Sequence, residues 1–503
     1  MNEAEPEPIA PADPEVARLL PFGFCRSKGV LAAARHDGSI EVWTREEMAQ
    51  PLAVAEARRA LGVPITLRRL PKERFAMALE QAYSNGSSGG YHEVMARIEN
   101  DGVISRLSEE TIASGDLLES GSAPVIQLVN DLLAHALADR ASDVHIEPYQ
   151  ERSVVRVRVD GVLRDILELK PRFHAPVVSR IKIMANLDID VKRMPQDGRV
   201  SIRLADKPVD VRVSTLPSAH GERVTLRLLD KQGAMLGLDG LGMGPAMMGK
   251  LDALIRQPHG IILVTGPTGS GKTTTLYAAL RKMDLNSCNI MTVEDPVEYD
   301  LEGVSQTQVN HAIGLSFAKA LRSILRQDPD VIMIGEIRDL DTAQIAAQAS
   351  LTGHLVLATL HTNDSVSAVT RLVDLGVEPY LIASTLIGSM AQRLVRRLCE
   401  KCKKRRELSV EERKAMRIRE TVVYEPAGCA ECGGSGYRGR AGIFEMMTVD
   451  ETIRGLIHDG APETRIRDHA VGHQGMTPLN RDGMRLVGEG ITSYEELAMA
   501  LEN

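Results

Sequence analysis

Aromatic side chains are scarce in this 503-residue chain, at 3% of the total with a single tryptophan. That leaves few platforms on which bases could stack, and it disfavours gripping single-stranded nucleic acid. An excess of positive charge is missing as well: 60 lysines and arginines face 68 aspartates and glutamates, for a formal charge of −8. Nucleic acid is therefore not expected as a partner. No apolar run reaches the roughly 18 residues that a membrane-spanning helix needs. The opening MNEAEPEPIAPADPE is acidic and proline-rich with no apolar core, so it reads as neither signal nor transit peptide. Residues 1 to about 16 are expected to be disordered, and the compartment expected is the cytoplasm. Cysteine is sparse too. Of six, Cys25 and Cys288 stand alone, and without an export signal the rest read as metal ligands rather than disulfides.

What the chain does hold is length for three or four domains and one strongly marked stretch, Ile261 to Leu280, reading IILVTGPTGSGKTTTLYAAL. Ile261 to Val264 form a buried strand, Gly266 to Gly271 a glycine-rich turn, and Lys272 onward a helix with Leu276, Ala279 and Leu280 on one face. This is G-x-x-x-x-G-K-[ST] in the strand–loop–helix context that a phosphate-binding loop requires. Glycines at 266, 269 and 271 let backbone N–H groups curl round the α- and β-phosphates, with Pro267, Thr268, Ser270 and Thr274 completing the cradle. Lys272 reaches the β- and γ-phosphates, and the Thr273 hydroxyl is the expected Mg²⁺ ligand.

Three further segments belong with the loop. Met291 to Asp300 (MTVEDPVEYD) is a strand ending in Glu294, and Val331 to Asp339 (VIMIGEIRD) is a second strand with Glu336 at its end. Ligands of open parallel sheets bind beyond such strand ends. Gly335 stands where P-loop enzymes carry an aspartate, so Glu294 is the expected supplier of the metal-side carboxylate. Glu336 is then free to orient or deprotonate the attacking water. Leu351 to Asp364 (LTGHLVLATLHTND) is a third buried strand bracketed by His354 and His361, both expected near the phosphates.

The rest of the chain falls into segments around this core. Residues 1–83 form a small first domain with a hairpin turned at Asp37-Gly38 and Trp43 in its core; 84–120 are a flexible SNGSSGG linker and a helical stretch. Residues 121–231 read as an α+β domain that opens with a helix at Pro124–Ala138 and continues as hairpins, one turned at Asp160-Gly161. Its Asp143, His145 and Glu147 share one strand face, which is either a metal triad or, as any half-buried strand would show, simple alternation. The domain is rich in arginines (156, 158, 199, 212, 223 and 227), which either solvate a strand face or reach a nucleotide held by a neighbouring domain or subunit. Residues 232–245 read as a hinge, 246–395 as the P-loop domain, 396–440 as a cysteine insert and 441–503 as a C-terminal helical region. In the insert, Cys399-x-x-Cys402 and Cys429-x-x-Cys432 offer the four thiolates that a structural Zn²⁺ prefers, 26 residues apart. Arg393 to Arg406 holds eight basic residues and one acid, either a solvated face or a footing on anionic lipid.

GPTGSGKTTTLY, TVEDPVEY, LRQDPDVIMIGEIRD and TGHLVLATLHTND together resemble the Walker A, Asp box, atypical Walker B and His box of bacterial secretion ATPases. The resemblance extends through ASDVHIEP, PQDGR, VDVRVSTLPSAHGERVTLRLL, QRLVRRLC and GCAECGGSGYRGRAGIFE, about residues 120 to 450. It implies a RecA-like P-loop ATPase domain preceded by an α+β, PAS-like domain and a small N-terminal α/β docking domain, with a zinc-binding tetracysteine insert. It further implies a homo-hexamer in which ATP sits between the arginine-rich and P-loop domains, with Arg212 and Arg227 touching nucleotide, Glu336 catalytic and Glu294 assisting at the metal. Within the superfamily the type II secretion (GspE) branch is expected, with type IV pilus extension as the alternative. The expected partners are the cytoplasmic domain of the inner-membrane L component and the polytopic F platform protein, with the ATPase peripheral to that membrane.

Overall fold

The computed structural model describes residues 12–17, 19–20, 24–25, 28–36, 38–45, 51–84, 124–204, 207–229, 237–416, 418 and 420–502. The first eleven residues, the Asp37 turn position, most of the linker and the helical stretch after it, and residues 232–236 of the expected hinge lie outside them. The chain divides into two compact units, Met1–Asp230 and Lys231–Asn503.

In the first unit, strands β1 (Val30–His36) and β2 (Ser39–Arg45) form the expected hairpin. Helix α1 (Pro51–Leu61) leads to β3 (Ile65–Leu70), which pairs parallel to β2, and α2 (Lys72–Ser84) follows. Trp43 and Cys25 are buried in this small core. Helix α3 (Pro124–Ala138) then opens a six-stranded antiparallel sheet, in spatial order β6-β5-β4-β9-β8-β7. Its strands are β4 (Asp143–Pro148), β5 (Ser153–Val159), β6 (Val162–Leu169), β7 (Gln196–Leu204), β8 (Lys207–Ser218) and β9 (Gly221–Leu229), with α4 (Pro171–Met184) between β6 and β7. Asp160 (φ 50°) and Gly161 (φ 89°) both adopt the left-handed conformation that a two-residue hairpin turn needs. Helices α3 and α4 cover one face, where Leu128, Phe173, Val144, Val211 and Leu226 meet. On the alternating positions Asp143 pairs with Arg158 and Arg227, and Glu147 with Arg156 and Arg223, so the two acids serve an ion-pair lattice, while His145 Nδ1 lies 3.4 Å from Thr225 Oγ1.

The second unit is built on a seven-stranded sheet in the order β12-β11-β13-β14-β10-β15-β18. Its strands are β10 (Gly260–Thr265), β11 (Ile290–Glu294), β12 (Ser305–Gln308), β13 (Val331–Ile334), β14 (Leu355–Leu360), β15 (Leu386–Leu398) and β18 (Tyr437–Thr448). All neighbours pair parallel except β15 with β18. Parallel sheets are covered on both faces, and the strand residues divide accordingly. Ile261, Leu263, Val356 and Ala358 face one core, with α7 (Phe317–Ile324), α8 (Leu340–Leu351), α9 (Ser367–Asp374) and α10 (Pro379–Thr385). Ile262, Val264 and Leu357 face the other, with α5 (Pro245–Ile255) and α6 (Lys272–Arg281). Between β15 and β18 the chain makes the hairpin β16 (Lys404–Glu407) and β17 (Val422–Glu425), with α11 (Val410–Met416) joining them. β18 returns to the main sheet, so the sheet of the P-loop region extends past the cysteine insert. Helices α12 (Glu451–His458), α13 (Glu463–Gly472), α14 (Leu479–Gly488) and α15 (Tyr494–Glu502) complete the chain.

Candidate active site

The parallel register brings the C-terminal ends of β10, β13 and β14 side by side: Thr265 pairs with Leu360, and Ile334 with Ala358. Everything the next residues carry is therefore delivered to one edge of the sheet. After β10 comes the loop, Gly266 to Gly271, with φ of 149° at Gly266, 79° at Gly269 and 87° at Gly271. A Cβ on Gly266 would stand 2.4 Å from the Gln392 carbonyl, and one on Gly271 2.9 Å from the Gln392 amide nitrogen. Only glycine lets the loop lie this close to β15. Thr268 and Gly269 are exposed at its crest, Pro267, Thr273 and Thr274 are half-buried, and the buried Ser270 hydroxyl has no hydrogen-bond partner among the described residues.

Lys272 opens α6, and its Nζ donates to the carbonyls of Gly266 (2.8 Å) and Pro267 (3.1 Å). Burial pushes its pKa down to about 8, against the opposing field of Glu336 and with that of Arg393. Those two charges thus face the same locus. Glu336 follows β13; its Oε1 meets His361 Nε2 at 3.0 Å, and its Oε2 meets Arg338 Nη2 at 2.6 Å and accepts from Arg338 Nε at 2.7 Å. Burial, then the Lys272 ammonium, holds His361 below the ordinary imidazole range, so it is neutral at pH 7. The glycine before Glu336 has a steric cause: a Cβ on Gly335 would be 3.2 Å from Glu294 Cα and 3.3 Å from the Val293 carbonyl. The close approach of β11 makes this position tight, so a side chain here would press on the Glu294 backbone by a few tenths of an ångström.

Two expected residues are placed differently. Glu294 is 2% exposed, and its carboxylate accepts from Tyr277 Oη, from Thr292 Oγ1 (2.6 Å) and from Gln306 Nε2 (3.1 Å). These three donors take most of the roughly four acceptor positions of the carboxylate, which leaves little capacity for a direct bond to Mg²⁺. His354 lies before β14, its carbonyl accepting from Gly260 N at the start of β10 and its Nδ1 lying 2.8 Å from the Ala349 carbonyl. Within this chain a six-residue strand, about 20 Å, separates it from the loop. His361 is at the site and His354 is not.

Sequence reasoning also passes over residues that matter. Gln392, whose Oε1 accepts from Thr275 Oγ1 (2.7 Å), and Arg393 lie beside the loop because β15 runs parallel to β10. Arg393 falls within the basic run read as solvated or lipid-facing, yet it is 6% exposed. Its Nη2 donates to Asn363 Oδ1 (3.2 Å), while Nε and Nη1 are buried without partners among the described residues. The rest of the run is not one free cationic face either: Arg396 pairs with Glu496, Lys403 with Glu400, Arg405 with Glu407, and Arg406 with Glu412 and Glu425. The one available signal is the QR pair itself, seven residues before Cys399 on a strand-forming run.

Arg212 and Arg227, in the first unit, are cross-strand neighbours, and Arg199 sits opposite Arg212. Arg227 Nε donates to Asp143 Oδ1 at 3.0 Å and keeps 59% of its side chain exposed.

The four paired cysteines converge. Sγ atoms lie 3.9 Å apart for Cys399–Cys429 and for Cys402–Cys432, and 3.7 Å apart for Cys429–Cys432. A tetrahedron with Zn–S bonds of about 2.3 Å has edges of about 3.8 Å, so the donor set fits a zinc ion. Backbone N–H groups of Cys429 and Gly436 each point at Cys432 Sγ from 3.2 Å, as thiolates in such sites are stabilised.

Residues 118–499 match the family model described as Type II/IV secretion system protein, and residues 19–83 match a domain model of GSPII protein E. Type II secretion system protein HxcR of Pseudomonas aeruginosa is 51% identical over 481 residues, covering 95% of this chain and 98% of the relative. Type II secretion system ATPase E of Vibrio cholerae is 48% identical over 497 residues, 97% and 98% of the two chains. Among solved structures, the Legionella pneumophila ATPase DotB superposes with a TM-score of 0.55 at 20% identity, covering 79% of this chain and 98% of its own, and supports the RecA-like fold. The pilus retraction motor PilT with bound ADP gives a TM-score of 0.51 at 25% identity, covering 74% and 96%.

Proposed function

The chain belongs to the type II/IV secretion system ATPase family, and on that premise we propose that it is the ATP-hydrolysing motor of a type II secretion system. It works at the cytoplasmic face of the inner membrane, where turnover drives pseudopilus assembly and export of folded proteins across the outer membrane. The observation that carries the chemistry is the meeting of Lys272, Glu336 and His361 at the ends of three adjacent parallel strands. The match of residues 19–83 to the GSPII protein E domain, together with relatives near half identity across almost the whole chain, favours the secretion branch over pilus extension.

The phosphates lie in the 266–274 cradle, with Lys272 leaving the loop carbonyls for the β- and γ-oxygens and Thr273 as the Mg²⁺ ligand. Mg²⁺, when bound, neutralises charge on the β- and γ-phosphates. Glu336 orients the attacking water and takes its proton, and the neutral His361 and Arg338 fix the carboxylate. Glu294 anchors Tyr277 and the end of β11 from behind. The chain functions as a homo-hexamer, in which Arg212 and Arg227 supply positive charge to the nucleotide. Zn²⁺ held by Cys399, Cys402, Cys429 and Cys432 has a structural role, since a site closed by four thiolates leaves no open position for substrate. Among the described residues no helix is long and apolar enough to cross a membrane. Attachment is assigned to residues 1–83, which dock on the cytoplasmic domain of the L component, with the F platform protein as the second inner-membrane partner.

The test is a chain lacking residues 1–83, expressed beside its inner-membrane partners. It should leave the membrane fraction while still binding ATP; a truncated chain that stays with the membranes would remove the docking role.

A further inference from the structure

The segment His361–Ser365, between β14 and α9, is anchored at every residue. His361 meets Glu336; Thr362 N donates to Thr265 Oγ1 (2.8 Å); Asn363 accepts from Arg393. Asp364 Oδ1 meets Arg467 Nη2 at 2.6 Å, and the fully buried Ser365 gives both its N–H (3.1 Å) and its hydroxyl (2.6 Å) to Glu445 Oε1. The first three anchors come from the sheet that holds the phosphate loop. The fourth, Arg467, comes from α13, a C-terminal helix with no role legible in its sequence.

Arg467 stands between two acids. Its Nη1 lies 3.7 Å from Glu445 Oε1, and Glu445 is 2% exposed on β18, with Oε2 accepting from Leu479 N at 3.3 Å. One guanidinium thus meets both Asp364, which accepts from Val366 N and Ser367 N at the start of α9, and the buried acid that grips Ser365. Without it the charge of Arg393 still bears on Asp364, but the two carboxylates beside the segment are less fully offset, and like charges push apart. The helix does not need Arg467 in order to dock: Ile466 and Ala470 are buried in the core beneath it. The arginine is thus available for a task other than packing.

We propose that Arg467 is a positioning residue for hydrolysis, holding the His361–Ser365 segment so that His361 keeps Glu336 aimed at the attacking water. The proposal rests on the reading of Glu336 as the hydrolytic carboxylate. It gives the C-terminal helices a place in the catalytic cycle, acting from outside the nucleotide site. A misplacement of about 1 Å at a catalytic group costs up to about 100-fold in rate, so a slackened anchor three residues away is expected to cost about tenfold.

The experiment uses the full chain in its assembled form, with steady-state MgATP hydrolysis, equilibrium binding of a fluorescent ATP analogue, native mass and thermal melting. Arg467→Ala should lower kcat about tenfold with KM and analogue affinity within about twofold of the parent, and Arg467→Lys should recover most of the rate. Adding Arg467→Ala to Glu336→Gln should cause no further loss, because both act through one carboxylate. Parent-like kcat in Arg467→Ala, a rate loss that tracks analogue affinity, native mass or melting, no recovery with lysine, or full additivity with Glu336→Gln would each overturn the proposal. Should the alanine variant not fold, Arg467→Gln keeps a polar, uncharged stem of intermediate length and must give the same split. If Glu336→Gln itself turns over like the parent, the catalytic reading fails; if that variant is dead while Arg467→Ala is normal, only the positioning role fails.

Discussion

Removing zinc should melt one short segment and leave the rest of the cysteine insert folded. Cys402 and Cys429 enclose 26 residues, and closing a free loop of that length costs about 3 kcal/mol in entropy, so loss of the metal could release all of them. The packing argues otherwise. Leu408, Ile418 and Val423 are buried against Val395, Ile443 and Leu486, and β16 pairs with β17, so these two strands keep their own anchors. Pro426 to Gly436 has none of these: it holds no strand, and Gly428, Gly433, Gly434 and Gly436 all sit at positive φ, from 56° to 87°. Ordering glycine is entropically costly, and here it is held by two cysteines and their N–H···S contacts. Titrating the thiolates with an organomercurial while a zinc dye reports release should yield one zinc per chain. Hydrogen exchange should then accelerate about 100-fold or more across 426–436, corresponding to about 3 kcal/mol of lost local stability, while 404–407 and 422–425 stay protected. Basal ATP hydrolysis should remain within about twofold, because Gln392 lies seven residues upstream on a strand still paired to Phe444. Loss of protection through β16 and β17, or unchanged protection in 426–436 after metal release, would refute the reasoning.

Three further outcomes follow from packing and charge. Gly266→Ala forces a Cβ to 2.4 Å from the Gln392 carbonyl and should cost about 1–3 kcal/mol in urea denaturation along with nucleotide affinity; parent-like binding would show that the loop can move off β15. Tyr277→Phe takes one of three donors from the buried Glu294 carboxylate and should cost about 1.5–3 kcal/mol by the same measurement, whereas a solvent-facing Glu294 would make it neutral. In the first unit Lys182 and Glu222 form a buried ion pair at 2.5 Å, so Lys182→Met should cost about 3–5 kcal/mol and adding Glu222→Gln should recover part of it; equal or greater loss in the double variant would contradict the pairing.

The features legible in the sequence are local ones. The phosphate loop, its strand and its helix are contiguous, the Asp160-Gly161 turn is a dipeptide, and Glu336 and Arg338 are two residues apart. What escapes it is set by pairing between distant strands. The role of Gln392 and Arg393 depends on β15 lying beside β10, and nothing in a basic run distinguishes a buried arginine from an exposed one. Glu294 reads as a strand-end carboxylate, but Tyr277 and Gln306, which enclose it, arrive from α6 and β12. His354 could have been placed correctly from the sequence, because residues bracketing a six-residue strand lie at opposite ends of it. The arginines of the first unit show the same limit: Asp143 and Glu147 become ion partners only once β5 and β9 flank β4.

The account stands on hydrolysis at Glu336, and the measurement that reaches it most directly is a paired assay of Glu336→Gln in the assembled full chain. ATP binding should stay within about threefold of the parent while Mg²⁺-dependent phosphate release falls by about 100-fold or more, as expected for loss of a general base. A variant that binds ATP and releases phosphate at the parent rate would contradict the claim.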